Sequence, residues 1–387
     1  MRTYLDHNAT TQVRPNAVAA MTEVMARVGN PSSVHADGQG ALARVELARR
    51  VVGKALRARP EDIIFTSGGT EALNLALHAA ISAGGVHRII VTALEHEAVA
   101  ATARASGLPV ETWPVNADGV VEISWLADRL ASCSGDDGRP VLAMMLASNE
   151  TGTIQPVQEA ATLVRDAGGL TVVDAIQAVG KIDVDFAGLG CDYLAVSAHK
   201  FGGPQGVGAL LAACNAPMAR HHHGGGQEKG RRAGTLNVAG IVGLATALEE
   251  AVSSLDDFAS LAIQRDKMAA AIRAVAPQMI EIGARASRLP NTLGMSLPGW
   301  PGATQVMALD LDGVAISAGS ACSSGTSKGS KVGTALGLPE DASQGFVRVS
   351  LGWNSKPDDA DAFIKAWTAA YARAALPSKQ MPEEAVG

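Results

Sequence analysis

A chain of 387 residues with 47% hydrophobic and 18% charged residues can bury a large core, which excludes global disorder. Its net charge of −6 argues against nucleic acid or an anionic membrane surface as the main partner. Glycine is abundant (42 residues) and aromatic residues are scarce (4%), a composition suited to a backbone that approaches a phosphorylated cofactor closely.

The four cysteines, Cys133, Cys191, Cys214 and Cys322, form no CxxC pair, so neither a disulfide framework nor a structural zinc site is expected. The first residues lack the apolar stretch of a secretory signal. Apolar runs such as 141–147 fall short of the ~18–20 residues that span a bilayer. The expectation is a soluble, cytoplasmic protein.

In chain order, a strand at 63–66 leads into a helix at 70–80, and a strand at 89–92 into a helix at 95–106. A strand at 141–146 precedes a helix at 158–167, and strands at 171–174 and 193–197 follow. These short runs are apolar on both faces, as strands between two helix layers must be. Their alternation with helices predicts an α/β fold, a three-layer domain around a mainly parallel sheet. Polar or small residues cluster where the strands end: Ser67-Gly68-Gly69-Thr70, Ser148-Asn149-Glu150, Asp174 to Gln177, and Ser197 to Lys200. In open parallel sheets a ligand sits outside those carboxyl ends. A long helix at 238–255 leaves this unit. Helical 258–276, strands at 292–297, 314–317 and 346–350, and a helix from 358 to about 375 predict a smaller α+β domain. The polar end, 377–387, is expected to fray.

Several residues at these places could carry chemistry. Gly68 and Gly69 before a helix start make an anion seat, although an ordinary capped βα loop looks the same. Lys200, just past a strand end and before a glycine-rich stretch, could be desolvated into a usable nucleophile, or be a plain surface lysine. Ser197 and His199 alternate with it and could donate to a phosphate. Asp174 ends an apolar strand, where a carboxylate needs a cation or a capping role; a pyridinium nitrogen is one such cation. His96 could lie over a cofactor ring or shuttle a proton, or be an ordinary loop histidine. Cys322, in Gly319-Ser320-Ala321-Cys322-Ser323-Ser324-Gly325, reads as a thiol presented by a loop too small and polar to bury it. Cys133 competes on composition alone, whereas Cys191 and Cys214 adjoin strands and are expected in the core. Arg348, inside a strand pattern, either faces water or grips a carboxylate. The triplet His221-His222-His223 has no accompanying ligand cluster and is not read as a metal site.

Together these segments resemble the NifS/IscS-type cysteine desulfurases, within the aspartate-aminotransferase-like (fold-type I) pyridoxal phosphate enzymes. The likeness runs from Tyr4-Leu5-Asp6-His7-Asn8-Ala9-Thr10-Thr11 to Arg348-Val349-Ser350-Leu351-Gly352. It includes Asn30-Pro31-Ser32-Ser33, Asn149-Glu150-Thr151-Gly152, Asp174 with Gln177 and Gly180-Lys181, Ser197-Ala198-His199-Lys200, Gly224-Gly225-Gly226-Gln227-Glu228 and Gly234-Thr235-Leu236-Asn237. The Ser-Ala-Gly-Ser-Ala-Cys form of the cysteine loop is similar to the NifS/IscS group and differs from the SufS type.

The resemblance implies a large cofactor-binding domain at 12–256, and a small domain of 1–11 and 257–376 that carries the cysteine loop. It implies that Lys200 holds pyridoxal 5′-phosphate covalently, Asp174 pairs with the pyridine nitrogen, Gln177 with the phenolic oxygen, and His96 stacks on the ring. Gly69, Thr70, Ser197 and His199 would cradle the phosphate, with Thr235 contributed by the neighbouring subunit of a homodimer. Asn149 and Arg348 would orient the carboxylate of L-cysteine, and Lys200 or His96 would move its Cα proton. Cys322 would take the sulfur as a persulfide, leaving L-alanine, and pass it to a sulfur acceptor or iron–sulfur scaffold protein. In that exchange Cys322 could transiently ligate an iron–sulfur cluster; no other metal is implied. Gly69 stands where the family commonly has Ala, the histidine triplet is unusual, and 377–387 does not match the IscS-type tail, which leaves the acceptor open. The competing readings are a selenocysteine lyase or other C–S lyase, which would not need Cys322, and a non-catalytic scaffold on the same fold.

Overall fold

The computed structural model describes residues 2–132, 138–319 and 331–374. Strand β1 (Thr3–Tyr4) is followed by helices α1 (Pro15–Met25) and α2 (Ala36–Leu56). Alternating units come next: β2 (Ile63–Thr66), α3 (Gly69–Ser82), β3 (Val86–Thr92), α4 (Glu97–Ala105), β4 (Val110–Trp113), α5 (Ile123–Ala131), β5 (Arg139–Met145), α6 (Val157–Asp166), β6 (Leu170–Asp174), α7 (Phe186–Leu189), β7 (Tyr193–Ser197) and β8 (Gly208–Ala212). The chain then forms α8 (Val238–Ser253), α9 (Leu255–Ala259), α10 (Leu261–Val275), β9 (Ile280–Glu281), β10 (Thr292–Ser296), α11 (Gly302–Leu311), β11 (Val314–Ala315) and β12 (Ser317–Ala318). It closes with α12 (Lys331–Ala335), α13 (Glu340–Gln344), β13 (Phe346–Ser350) and α14 (Pro357–Arg373).

Seven strands make one sheet in the order β2-β8-β7-β6-β5-β3-β4. All its pairings are parallel except those of β8, which runs against both neighbours. A parallel strand needs a crossover of a dozen residues or more, and the stretch between β7 and β8 is too short for one. Alternate strand residues divide between two cores. Ile63, Phe65, Leu142, Met144 and Val196 pack with α2, α6 and α8, while Ile64, Ile89, Val141, Val172 and Ala195 pack with α3 and α4. Both faces are therefore covered, which is why β5 to β8 carry no polar face.

A second, antiparallel sheet has the order β12-β13-β10-β9, and β1 pairs with β11 beside it. Its core joins Met268 and Ile272 of α10, Leu293 and Met295 of β10, Val347 and Val349 of β13, and Phe363 and Trp367 of α14. The run expected at 314–317 is divided here: β11 pairs with β1, and β12 pairs with β13. The expected 238–255 helix ends at Ser253, where Ser254 leaves helical geometry and the chain bends by 68° across the break. Among the described residues no single helix is long and apolar enough to cross a membrane.

The N-terminal segment joins the two sheets. Leu5 N donates to Ala315 O at 2.8 Å and Leu5 O accepts from Ser350 N at 2.8 Å, while Thr11 N donates to His199 O at 3.1 Å. Residues 6–10 are thereby stretched across the carboxyl edge of the large sheet.

Candidate active site

Lys200 follows β7 in the short turn Ala198–Lys200. Its Nζ donates to the main-chain oxygens of Asn8 (2.6 Å) and Ala9 (2.7 Å). Burial, and then the Arg348 guanidinium, pull its ammonium down to about 8, against the pull of Asp174, Asp6 and Glu150. A free amine is thus accessible near neutral pH. Asp174 ends the neighbouring strand β6 and is 7% exposed. Its Oδ1 accepts from Ile176 N at 2.9 Å. Burial raises its carboxyl, while His96 and Lys200 lower it. Gln177, three residues on, donates from Nε2 to Asn8 O at 2.8 Å. His199 Nδ1 lies 3.2 Å from Thr10 Oγ1, and burial holds its imidazole at about 4, hence neutral.

The glycine turn expected to seat an anion lies at the start of α3. Thr66 Oγ1 donates to Gly68 O at 3.0 Å. A Cβ at Gly69 would lie 2.1 Å from Ile176 Cδ1, and one at Gly208 would lie 2.8 Å from Gly68 Cα, so both glycines permit close packing of the turn. Ser67 N donates to Glu71 Oε2 at 2.7 Å, and Arg232 Nε to Glu71 Oε1 at 2.7 Å. Burial alone would raise the Glu71 carboxyl, but these bonds outweigh it and hold it at about 2. The N–H groups and positive end of this 14-residue helix face the strand ends. Ser197 is buried beside the turn, whereas Thr70 and Thr235 are exposed.

Arg348 enters from the other sheet. On β13 it pairs with Gly294 of β10 and Ser317 of β12. Its Nη2 donates to Asp6 Oδ1 at 2.5 Å, and Nη1 to Asn149 O at 3.0 Å and Glu150 Oε1 at 3.3 Å. Nε is buried and has no partner among the described residues. The guanidinium is held in place by protein acceptors, two of them the carboxylates of Asp6 and Glu150. Asn149 Nδ2 in turn donates to Glu150 Oε1 at 2.9 Å.

His96 is exposed and caps α4, accepting from Ala98 N at 3.1 Å through Nδ1. A backbone N–H only donates, so Nδ1 carries the lone pair and the neutral ring bears its proton on Nε2. The helix expected from residue 95 begins at Glu97 because His96 takes the cap position. Cys191 is buried, but Cys214 is exposed, contrary to the expectation of a core residue: β8 ends at Ala212 and the chain turns out to solvent. Cys133 and Cys322 lie outside the described residues. His221 sits 4.8 Å from His78 and 5.1 Å from His222, ring to ring. Among the described residues no group of three His, Cys, Asp or Glu side chains is placed to hold a metal.

Sequence reasoning gave no role to Asn8, Lys181, Asp6, Glu150 or Glu95. Asn8 is 1% exposed. Its Nδ2 donates to Asn149 O (3.1 Å) and Thr292 Oγ1 (2.9 Å), and its Oδ1 accepts from Asn291 Nδ2 (3.1 Å) and Lys181 Nζ (2.7 Å). The available signal was an unbroken polar run at 6–8 directly after Leu5. Glu95 was visible only as the neighbour of His96.

A mainly parallel sheet covered on both faces, with a lysine amine, a carboxylate and a helix N-terminus on one edge and a smaller antiparallel unit beside it, is the architecture of the aspartate-aminotransferase-like, fold-type I enzymes. Within that class the chain belongs to the aminotransferase class-V family, whose model matches residues 3–363. It is 38% identical to an IscS-like cysteine desulfurase of Mycobacterium tuberculosis over 96% of both chains. It is 40% identical to a cysteine desulfurase of Cereibacter sphaeroides over 90% of each. A solved NifS-like protein superposes with a TM-score of 0.88 at 35% identity, covering 96% of this chain and all of that one. The structure described as SspA in complex with cysteine superposes at 0.77 and 27% identity, covering 90% of this chain and 98% of the other.

Proposed function

We propose that this protein is a pyridoxal phosphate-dependent cysteine desulfurase that converts L-cysteine to L-alanine and takes the sulfur onto Cys322. The observation that carries the reading is the convergence of the Lys200 amine, the Asp174 carboxylate and the Arg348 guanidinium, from two sheets, on one strand edge.

The residues fit the cofactor. Asp174 is a buried carboxylate whose charge lacks a bonded cation among the described residues, a match for a pyridinium nitrogen. A cradle at Gly69, where a Cβ would meet Ile176, sits at the α3 N-terminus and suits a phosphate. Lys200 would hold the group, Gln177 and His96 would contact its ring, and Gly69, Thr70, Ser197 and His199 would bind its phosphate, with Thr235 reaching across a homodimer. Asn149 would border the ring and, with Arg348, orient the substrate carboxylate. Bound pyridoxal phosphate supplies an electron sink that weakens the substrate C–S bond.

The chain's own side chains do the rest. Lys200, poised near neutrality, takes the Cα proton at Nζ. His96, with its proton on Nε2, donates rather than accepts. The Cys322 thiolate attacks the substrate sulfur: the C–S bond breaks, an S–S bond forms, and the carbon keeps the electron pair and is protonated to alanine. No external oxidant or reductant enters this balance. The large domain at 12–256, the small domain of 1–11 and 257–376, a cytoplasmic location and transfer to an acceptor or iron–sulfur scaffold protein belong to the same reading.

The test is alanine formation from L-cysteine by protein loaded with pyridoxal phosphate. Wild type is expected to produce alanine, and Lys200→Ala to fall by about 10²–10⁴-fold. A loaded wild type that makes no alanine contradicts the proposal.

A further inference from the structure

Lys181 has no part in the chemistry above, yet it is 3% exposed and lies behind the site. A buried amine is costly unless its hydrogens are bonded. Here Nζ donates to Gln177 Oε1 at 2.5 Å and to Asn8 Oδ1 at 2.7 Å. Both are amide oxygens, so the lysine donates in either protonation state. Each amide is also fixed from its other end by an acceptor-only carbonyl: Gln177 Nε2 meets Asn8 O at 2.8 Å, and Asn8 Nδ2 meets Asn149 O at 3.1 Å. Turning either amide round loses both bonds. The Asn8 carbonyl is also the one that accepts from Lys200 Nζ at 2.6 Å. Lys181, Lys200, His7 and Thr11 line one cavity of about 10 Å³.

We infer that Lys181 is a positioning residue: it locks the Gln177 amide with its N–H side toward the cofactor and holds the Asn8 carbonyl against Lys200. This rests on the reading under Proposed function, in which Gln177 donates to the cofactor's phenolic oxygen. Without Lys181, Gln177 Oε1 is buried with no donor and the amide loses its fixed direction. A phenolic oxygen that loses a donor holds a shared proton more tightly. The charges facing Lys200 are Arg348, Asp174, Asp6 and Glu150, and those facing Lys181 are Lys200 and Arg348, with His7 beside Lys181 and His199 beside both. Removing the phenolic oxygen's donor therefore raises the pH of the cofactor's colour change.

The experiment titrates the visible absorbance of the holoenzyme for wild type, Lys181→Met, Gln177→Leu and the double variant. Lys181→Met is expected to raise the midpoint by about one pH unit, a tenfold change in proton affinity. Gln177→Leu should raise it similarly, and the double variant no further. Turnover should fall roughly tenfold with KM for cysteine little changed, because Arg348 is untouched. Lys181→Gln, which keeps an N–H donor, should recover most of the shift. An unmoved midpoint in Lys181→Met, or additive shifts in the double variant, overturns the inference. If Lys181→Met does not fold, a Lys181→Gln midpoint displaced as far as that of Gln177→Leu overturns it. A wild type that makes alanine beside a Lys181→Met protein with wild-type titration sinks this inference alone; a wild type that takes up no pyridoxal phosphate sinks both.

Discussion

Glu95 accepts at Oε1 from Thr92 Oγ1 (2.6 Å) and Met145 N (2.8 Å), while its buried Oε2 has no partner among the described residues. Burial pushes its carboxyl up from 4.5 to about 8, with Asp174 adding to the effect. The folded protein therefore keeps a proton that the unfolded chain gives up above about 4.5, so stability falls from there to about 8 and then levels. Glu95→Gln lacks that proton, and its Tm should gain on wild type across this window by a few degrees; Tm curves that stay parallel from pH 5 to 9 would refute the assignment. Lys200 gives a second titration. Uptake of pyridoxal phosphate by the apo-protein should accelerate with pH through about 8, as the free amine forms. Arg348→Met should move that midpoint upward, because the guanidinium helps hold the ammonium down. Stopped-flow absorbance measures both, and an unshifted midpoint in the variant contradicts the electrostatic account. At this scale Asp174 and Arg348 were legible because each is a charge inside an apolar strand pattern, and Lys200 because it directly follows one. Asn8, Lys181 and Glu95 were not, because their importance lies in long-range bonds that no local pattern encodes.

The large sheet's edge strand β2 is closed by side chains rather than by another strand. Arg49 Nη1 donates to Ile63 O at 2.7 Å, and Glu228, its side chain fully buried, accepts from Phe65 N at 3.1 Å. The two side chains also bond each other at 2.7 and 2.9 Å. Such cover prevents edge pairing. Glu228→Ala would leave the buried Arg49 guanidinium with Glu46, at 3.1 Å from Nε, as its remaining carboxylate partner, and should cost about 3 kcal/mol in chemical denaturation; a loss below about 1 kcal/mol would mean the pair contributes only at the surface level. The α3 turn offers a subtler case. Gly69→Ala places its Cβ 2.1 Å from the end of the Ile176 side chain. It should weaken cofactor binding severalfold through overpacking of about 1 kcal/mol, and Ile176→Val should restore it in an equilibrium titration. Equal affinities for wild type and Gly69→Ala would show that Ile176 moves aside freely. Most strands of the large sheet were readable because a run buried on both faces leaves a continuous apolar signature, and β7 and β13 match their expected bounds. The reversed strand β8 and the division between β11 and β12 were not readable, since pairing partners and direction are set by tertiary contacts.

Across the whole molecule, the N-terminal segment and β13 bring the second sheet to the carboxyl edge of the first, so Arg348 and Lys200 face one space although 148 positions separate them in sequence. The described residues on either side of Cys322 are tied to the same place. Ser317 pairs with Arg348 on the near side, and Lys331 forms an ion pair with Glu97, next to His96, on the far side. Glycine richness, the first feature of the composition, is used at the anion seat, where Gly69 and Gly208 allow the turn to pack closely. In the proposed reaction, sulfur leaves the substrate only by attack from Cys322. The most direct measurement is a single-turnover reaction of the loaded protein with L-cysteine, scoring alanine and protein-bound sulfane sulfur together. Wild type should yield equal amounts of the two, and Cys322→Ser neither; a Cys322→Ser protein that releases alanine at the wild-type rate would contradict the account.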